Sequence, residues 1–171
     1  MSSGATSRRE LAAVGALFVL SGAAALVYQV AWQRILVLHS GVGIYSVAII
    51  VAAFMAGLGI GSHWGGVLST RVSPLRALRL FALLELGIGL FALASPWLYY
   101  DVLYLRGAWI YASLPRAALA HLLALIVPTI LMGMSLPFLV RATVRETASA
   151  SRVIGVLYGV NVLGAATGAL L

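Results

Sequence analysis

Long apolar runs alternate along this chain with short segments that hold nearly all of its charge. Five runs can be drawn, over residues 11–33, 44–68, 78–98, 117–140 and 153–171. Each is close to the roughly 20 residues that cross a hydrocarbon core as a helix. None shows the strict alternation of a membrane β-strand, so the pattern predicts helices. A bilayer offers no water to peptide groups, which leaves helices or closed barrels as the only spanning structures. The expected fold is all-α: a polytopic transmembrane helix bundle of about five spans, occupying 11–171 behind a tail over 1–10.

Composition agrees. Of 171 residues, 63% are hydrophobic and 9% charged, with a mean hydropathy of +1.07. A soluble domain carries roughly 25% charged residues, so the lipid bilayer is the first partner. The net charge of +7 would suggest nucleic acid in a soluble chain. Here the placement of charge reads better as orientation, and no nucleic-acid partner is expected. All eleven basic residues are Arg, which suits a GC-rich bacterial genome. There is no Cys, which removes disulfides and thiolate metal sites. No cluster of His, Asp and Glu has metal spacing, and no cofactor motif is present.

Arg8, Arg9, Arg71, Arg76, Arg79, Arg141, Arg145 and Arg152 fall on one side of the predicted spans, and only Arg34, Arg106 and Arg116 on the other. By the positive-inside rule the N-terminus is cytoplasmic, in a cell inner (plasma) membrane. The first span also fits a signal peptide, but its apolar run continues past Ala25 to Val30, too far for cleavage at "GAAA". The stretch 97–115 carries Trp97, Tyr99, Tyr100, Tyr104, Trp109 and Tyr111. Such rings favour the headgroup level, so an interfacial helix on the outer face is expected, as an aromatic belt rather than a ligand box.

The first span ends in polar residues, Gln29, Gln33 and Arg34. At 1.5 Å per residue Arg34 reaches the outer interface, where it can snorkel. Gln29 lies about 7 Å deeper, and Gln33 follows one turn on along the same face. Gly22 and Ala25 extend that face, which should look into the bundle.

Glu85 is the one carboxylate well inside a span, and an ionisable group there is by default a functional candidate. It sits about 9 Å beyond Arg79, and His63 about 12 Å before Arg71 on the preceding helix. Their matched depth makes His63 the expected partner, with Arg76 in reserve. Two roles stay open, a structural tie between spans two and three or the handling of a proton or substrate. His121 lies near the level of Gln29, either as an interhelical hydrogen-bond donor or as a ligand.

Small residues recur at helical spacing: Gly57, Gly61 and Gly65 in one run, Gly155, Gly159, Gly164 and Gly168 in another. Both read as stripes for close helix packing. No strand precedes the first, so it is not a phosphate loop. Pro128 and Pro137 interrupt the fourth span, where freed carbonyls can kink the helix or hold a ligand. No nucleophile–base pair appears.

Four stretches together resemble one family. "SGAAALVYQVAWQRIL", "AGLGIGSHWGGVLSTRVSPLRALRLFALLELGIGLFALASP", "PTILMGMSLPFLVRA" and "GVLYGVNVLGAATGALL" follow the order of the membrane-spanning N-terminal region of membrane-bound spermidine synthase-like proteins, the major-facilitator/spermidine-synthase fusions. The most specific parts are Leu-Met-Gly-x-Ser-Leu-Pro at 131–137 and Leu-Tyr-x-x-Asn at 157–161. The resemblance implies a downstream aminopropyltransferase domain using decarboxylated S-adenosylmethionine and putrescine. None of its catalytic residues lies in this chain. Where the family commonly has an acidic residue after the first-motif Tyr, this chain has Gln29. The loop 66–76 is similar to the signature loop of major-facilitator transporters, with Thr70 at its usual Asp.

Three functions are therefore carried forward. The first is a membrane module that anchors or serves a fused or associated aminopropyltransferase-like domain in polyamine metabolism. The second is a transporter or half-transporter for a small amine or other cation, and the third a helper subunit, with homo-oligomers an open alternative. Five spans from a cytoplasmic N-terminus would end outside, so the first reading also expects at least one further crossing after residue 171.

Overall fold

The computed structural model describes residues 8–40, 44–144 and 147–170. The tail 1–7, the side chains of Arg8 and Arg9, Arg145 and Leu171 lie outside the described residues. Five long helices follow in order: α1 (Arg8–Ser40), α2 (Ile44–Ser69), α3 (Pro74–Pro96), α4 (Leu114–Thr143) and α5 (Thr147–Gly168). Among the described residues there is no strand. Every one of the five helices contains a stretch long and apolar enough to cross a membrane, from 21 residues in α5 to 33 in α3 with its extension. The chain is a multi-pass helical membrane protein.

Local chemistry sets the helix starts. Pro74 and Pro115 lie in first turns, where a missing N–H costs nothing. Ser73 and Ser113 are extended just before them, and their carbonyls accept the first helical bonds, from Ala77 N at 2.9 Å and Ala117 N at 3.0 Å.

Packing follows the glycines. Gly57 meets Thr129, Gly61 meets Ile130 and Gly133, and Gly65 meets Met134. The contact positions rise together, so α2 and α4 run parallel. On the far side, Val19 meets Gly164, Ala23 meets Gly168, and Asn161 meets Gly22, which makes α1 and α5 a second parallel pair. A Cβ on Gly61 would overlap the Ile130 carbonyl, and one on Gly164 that of Val19. In lipid, where apolar contact gives no net drive, such close backbone approach is what holds helices together. α3 packs against α4, which leaves α4 between α2 and α3.

The second stripe divides. Gly164 and Gly168 pack on α1, but Gly155 and Gly159 are exposed with no neighbouring atom beside them. Nine residues separate Gly155 from Gly164. That is two and a half turns at 3.6 residues each, so the two pairs face opposite sides of α5.

Helix α4 runs unbroken through both its prolines. A proline at i leaves the carbonyl at i−4 without its helical donor. Pro128 frees Ala124, whose carbonyl accepts a bond from the Tyr99 hydroxyl at 3.3 Å. Pro137 frees Gly133, whose carbonyl accepts from the Ser62 hydroxyl at 3.3 Å. Pro96 frees Ala92, whose carbonyl accepts from Ser95 Oγ at 2.8 Å, and Ser95 in turn accepts from Trp32 Nε1 at 2.9 Å. Neighbouring hydroxyls thus satisfy what the prolines release.

The aromatic stretch after α3 is helical, but its first part is not a separate element. Trp97–Arg106 continues α3 as a π-helical segment, followed by a short 3-10 turn at Ala108–Ala112. Trp97, Tyr100, Tyr104 and Trp109 are exposed, as belt residues would be, whereas Tyr99 is buried against Trp32, 6.1 Å between ring centroids.

Two apolar clusters close the bundle. Phe18, Phe81, Phe138 and Leu157 pack near the end where α1 begins, and Trp32, Ile50, Phe54 and Leu125 near the other. Arg141 Nε also donates to the Val72 carbonyl at 3.0 Å, tying the α2–α3 turn to the end of α4.

These contacts predict unequal glycines. Gly61→Val and Gly164→Val should each destabilise the bundle by about 1–3 kcal/mol, the usual cost of overpacking. Gly155→Val should stay within about 0.5 kcal/mol. Unfolding of the purified variants in detergent measures the difference.

Candidate functional site

Between the two clusters lies a cavity of about 300 Å³ to which all five helices contribute. It follows the seam between the α1/α5 pair and the α2/α4 pair. Its polar lining comes from Ser21, Gln29, Ser62, Glu85, Ser135 and Asn161, with the phenols Tyr28 and Tyr158, and its apolar lining includes Phe18 and Phe54.

Glu85 faces this space because of its place on α3. Phe81 and Ile88, one turn either side, are buried, and Gly89 lines the cavity with it. Eleven residues separate Pro74 from Glu85, or about 16 Å along the axis, which places the carboxyl deep within the span. Ser21 Oγ donates to Glu85 Oε1 at 2.9 Å. Oε2 has no hydrogen-bond partner in the protein among the described residues. Among the described residues, no Arg or His lines the cavity.

The expected pair Glu85–His63 does not form. His63 is exposed on α2, with the Trp64 ring 5.8 Å from its own, and Arg76 is exposed as well. The glycine face of α2 turns to α4, so α4 stands between α2 and α3. The partner is Ser21 on α1. His121 is buried beside Tyr111, ring centroids 5.9 Å apart, and does not line the cavity. Gln29 does line it.

Ser21, Tyr28, Tyr158 and Asn161 were not among the site residues expected from the sequence, although Tyr158 and Asn161 belong to a motif noted there. Asn161 closes the Leu-Tyr-x-x-Asn run, and its Nδ2 donates to the Phe18 carbonyl at 3.1 Å. That leaves its Oδ1 as an acceptor beside the cavity. An amide in the middle of an apolar helix was the available signal, because such groups face protein rather than lipid.

Chemically, the site offers one acid, several oxygens able to accept hydrogen bonds, and aromatic faces. In its ionised form the carboxyl would attract a small cation. The arrangement defines a polytopic helical membrane protein with a cavity inside the bundle whose lining includes one carboxylate. Comparison with protein-family models, curated proteins and solved structures finds no match.

The Ser21–Glu85 bond should be measurable. A double-mutant cycle of Ser21→Ala and Glu85→Gln is expected to give a coupling of about 0.6 kcal/mol, and at most about 1.7, as for other interhelical bonds in membranes. His63→Ala, at an exposed position, should change stability by less than about 0.5 kcal/mol.

Proposed function

We propose that the chain is an integral membrane module that binds a small organic cation at Glu85 and holds or passes it within polyamine metabolism. The observation that carries this reading is the Glu85 carboxyl, lining a mid-bundle cavity that contains no basic side chain. A charged side chain at the centre of a span costs about 2.5–3.5 kcal/mol on insertion scales. An inert anchor gains nothing from that cost, and one hydroxyl bond from Ser21 does not need an acid to receive it. An ammonium placed between Oε2 and the Gln29 and Asn161 carbonyls would be neutralised and hydrogen-bonded together. The rings of Phe18, Phe54, Tyr28 and Tyr158 favour an organic cation over a bare metal ion. In the setting implied by the family resemblance, the amine would serve a fused or associated aminopropyltransferase-like domain on the cytoplasmic side.

A transporter reading shares the same site. What favours it is the cavity's position at the seam between two helix pairs, since transporters bind substrate between packed units.

In titrations of the purified protein, Glu85→Gln should weaken 1,4-diaminobutane binding about 10- to 100-fold, the equivalent of a charged hydrogen bond of about 1.5–3 kcal/mol. Equal binding by wild type and variant would refute the site.

The Arg asymmetry supports an N-terminus in the cytoplasm of the plasma membrane. Single cysteines introduced at Arg71 and Thr143 should be protected from an impermeant thiol reagent in intact cells, and one at Gly107 modified. The reverse pattern would invert the topology.

A further inference from the structure

A Glu85 carboxylate in the empty cavity would have no counter-ion among the lining side chains. Tyr28 faces the space from α1 and Tyr158 from α5, and neither phenol can become positive. From α2 and α4 come only the hydroxyls of Ser62 and Ser135, and α3 adds no second charged group to the lining. His63, Arg76 and Arg79 are exposed elsewhere on α2 and α3. An unpaired charge away from water is relieved either by a counter-ion or by a proton.

We infer that Glu85 exchanges one for the other: each ammonium that enters displaces one proton from the carboxyl, and each that leaves is replaced by one. The inference rests on the amine-binding reading above. The step balances without any oxidant or reductant. The carboxyl O–H bond breaks, its proton passes to water, and the N–H groups of the ammonium hydrogen-bond to the resulting carboxylate. Departure of the amine runs the same step backwards.

Ser21 fits both states. Its hydroxyl donates to Oε1 at 2.9 Å in the structure, and a hydroxyl can equally accept a bond from a protonated carboxyl by rotating its own hydrogen. The contact between α1 and α3 therefore survives either charge on Glu85. Binding of cation and proton becomes mutually exclusive at a single group, with a stoichiometry of one to one.

The test is a titration of the full chain in lipid nanodiscs with n-butylamine and 1,4-diaminobutane from pH 5.5 to 8. Alkylamines keep their charge across this range, as the Lys ammonium does. Calorimetry in buffers of different ionisation enthalpy counts the protons released. Exchange requires about one proton per amine at the acid end, and affinity rising about tenfold per pH unit wherever release occurs. Glu85→Gln keeps an acceptor for Ser21 and should show no release and a flat pH profile. Glu85→Asp keeps the acid and should retain release, which guards against a Gln variant that does not fold. Wild-type binding without proton release at any pH would overturn exchange while leaving the amine site standing. Release that persists in Glu85→Gln would also overturn it, and absence of any amine binding would remove both proposals.

Discussion

Close backbone contact at glycine is the constraint on which the rest of this structure depends. Apolar side chains gain nothing by leaving lipid for one another, so helices hold together where their surfaces approach most tightly. Two such contacts exist, α2 on α4 through Gly57, Gly61, Gly65 and Gly133, and α1 on α5 through Gly22, Gly164 and Gly168. Both join helices that run the same way, and so join helices that are not consecutive in the chain. The short turns must then link different pairs. Where one pair meets the other, no glycine stripe brings the backbones together, and the seam stays open enough for a cavity.

Helix α4 shows how a two-proline sequence stays continuous as a helix. Its freed carbonyls at Ala124 and Gly133 accept hydroxyls from opposite neighbours, Tyr99 beyond α3 and Ser62 on α2. The bonds that mend the helix therefore also fasten it on both sides. Trp32 adds a third link of this kind, from α1 to Ser95 at the end of α3. Tyr99, Ser62 and Ser95 thus each donate to a main-chain oxygen that proline has released.

Much of this was legible in the sequence. The five spans follow from hydropathy alone, because length and composition decide what can cross a membrane. That small residues at 57, 61 and 65 mark a contact was also readable, but a stripe says that a helix approaches and not which one. Assuming neighbours in sequence to be neighbours in space sent Glu85 towards His63. The same limit applies to Gly155 and Gly159, whose spacing matches that of Gly164 and Gly168 although they point the opposite way. Ser21 was missed because a serine in an apolar helix is ordinary, and becomes informative only when its partner is known to be an acid on another helix. The aromatic stretch after Pro96 read as a separate interfacial helix, since such rings favour the headgroup level. Its missing bond is replaced by Ser95, so the span runs on.

Glu85 stands where the two kinds of contact meet. Ser21, its hydrogen-bond partner, lies on the helix that packs on α5, and Glu85 lies on the helix that packs on α4. Their bond therefore crosses the seam between the two groups of helices. The glycine contacts of neither group include Ser21 or Glu85. A change at the carboxyl can thus alter how the groups meet without loosening either of them. That is a consequence of placing the acid at the seam rather than within a helix pair, where the same change would act on the packing that makes the bundle.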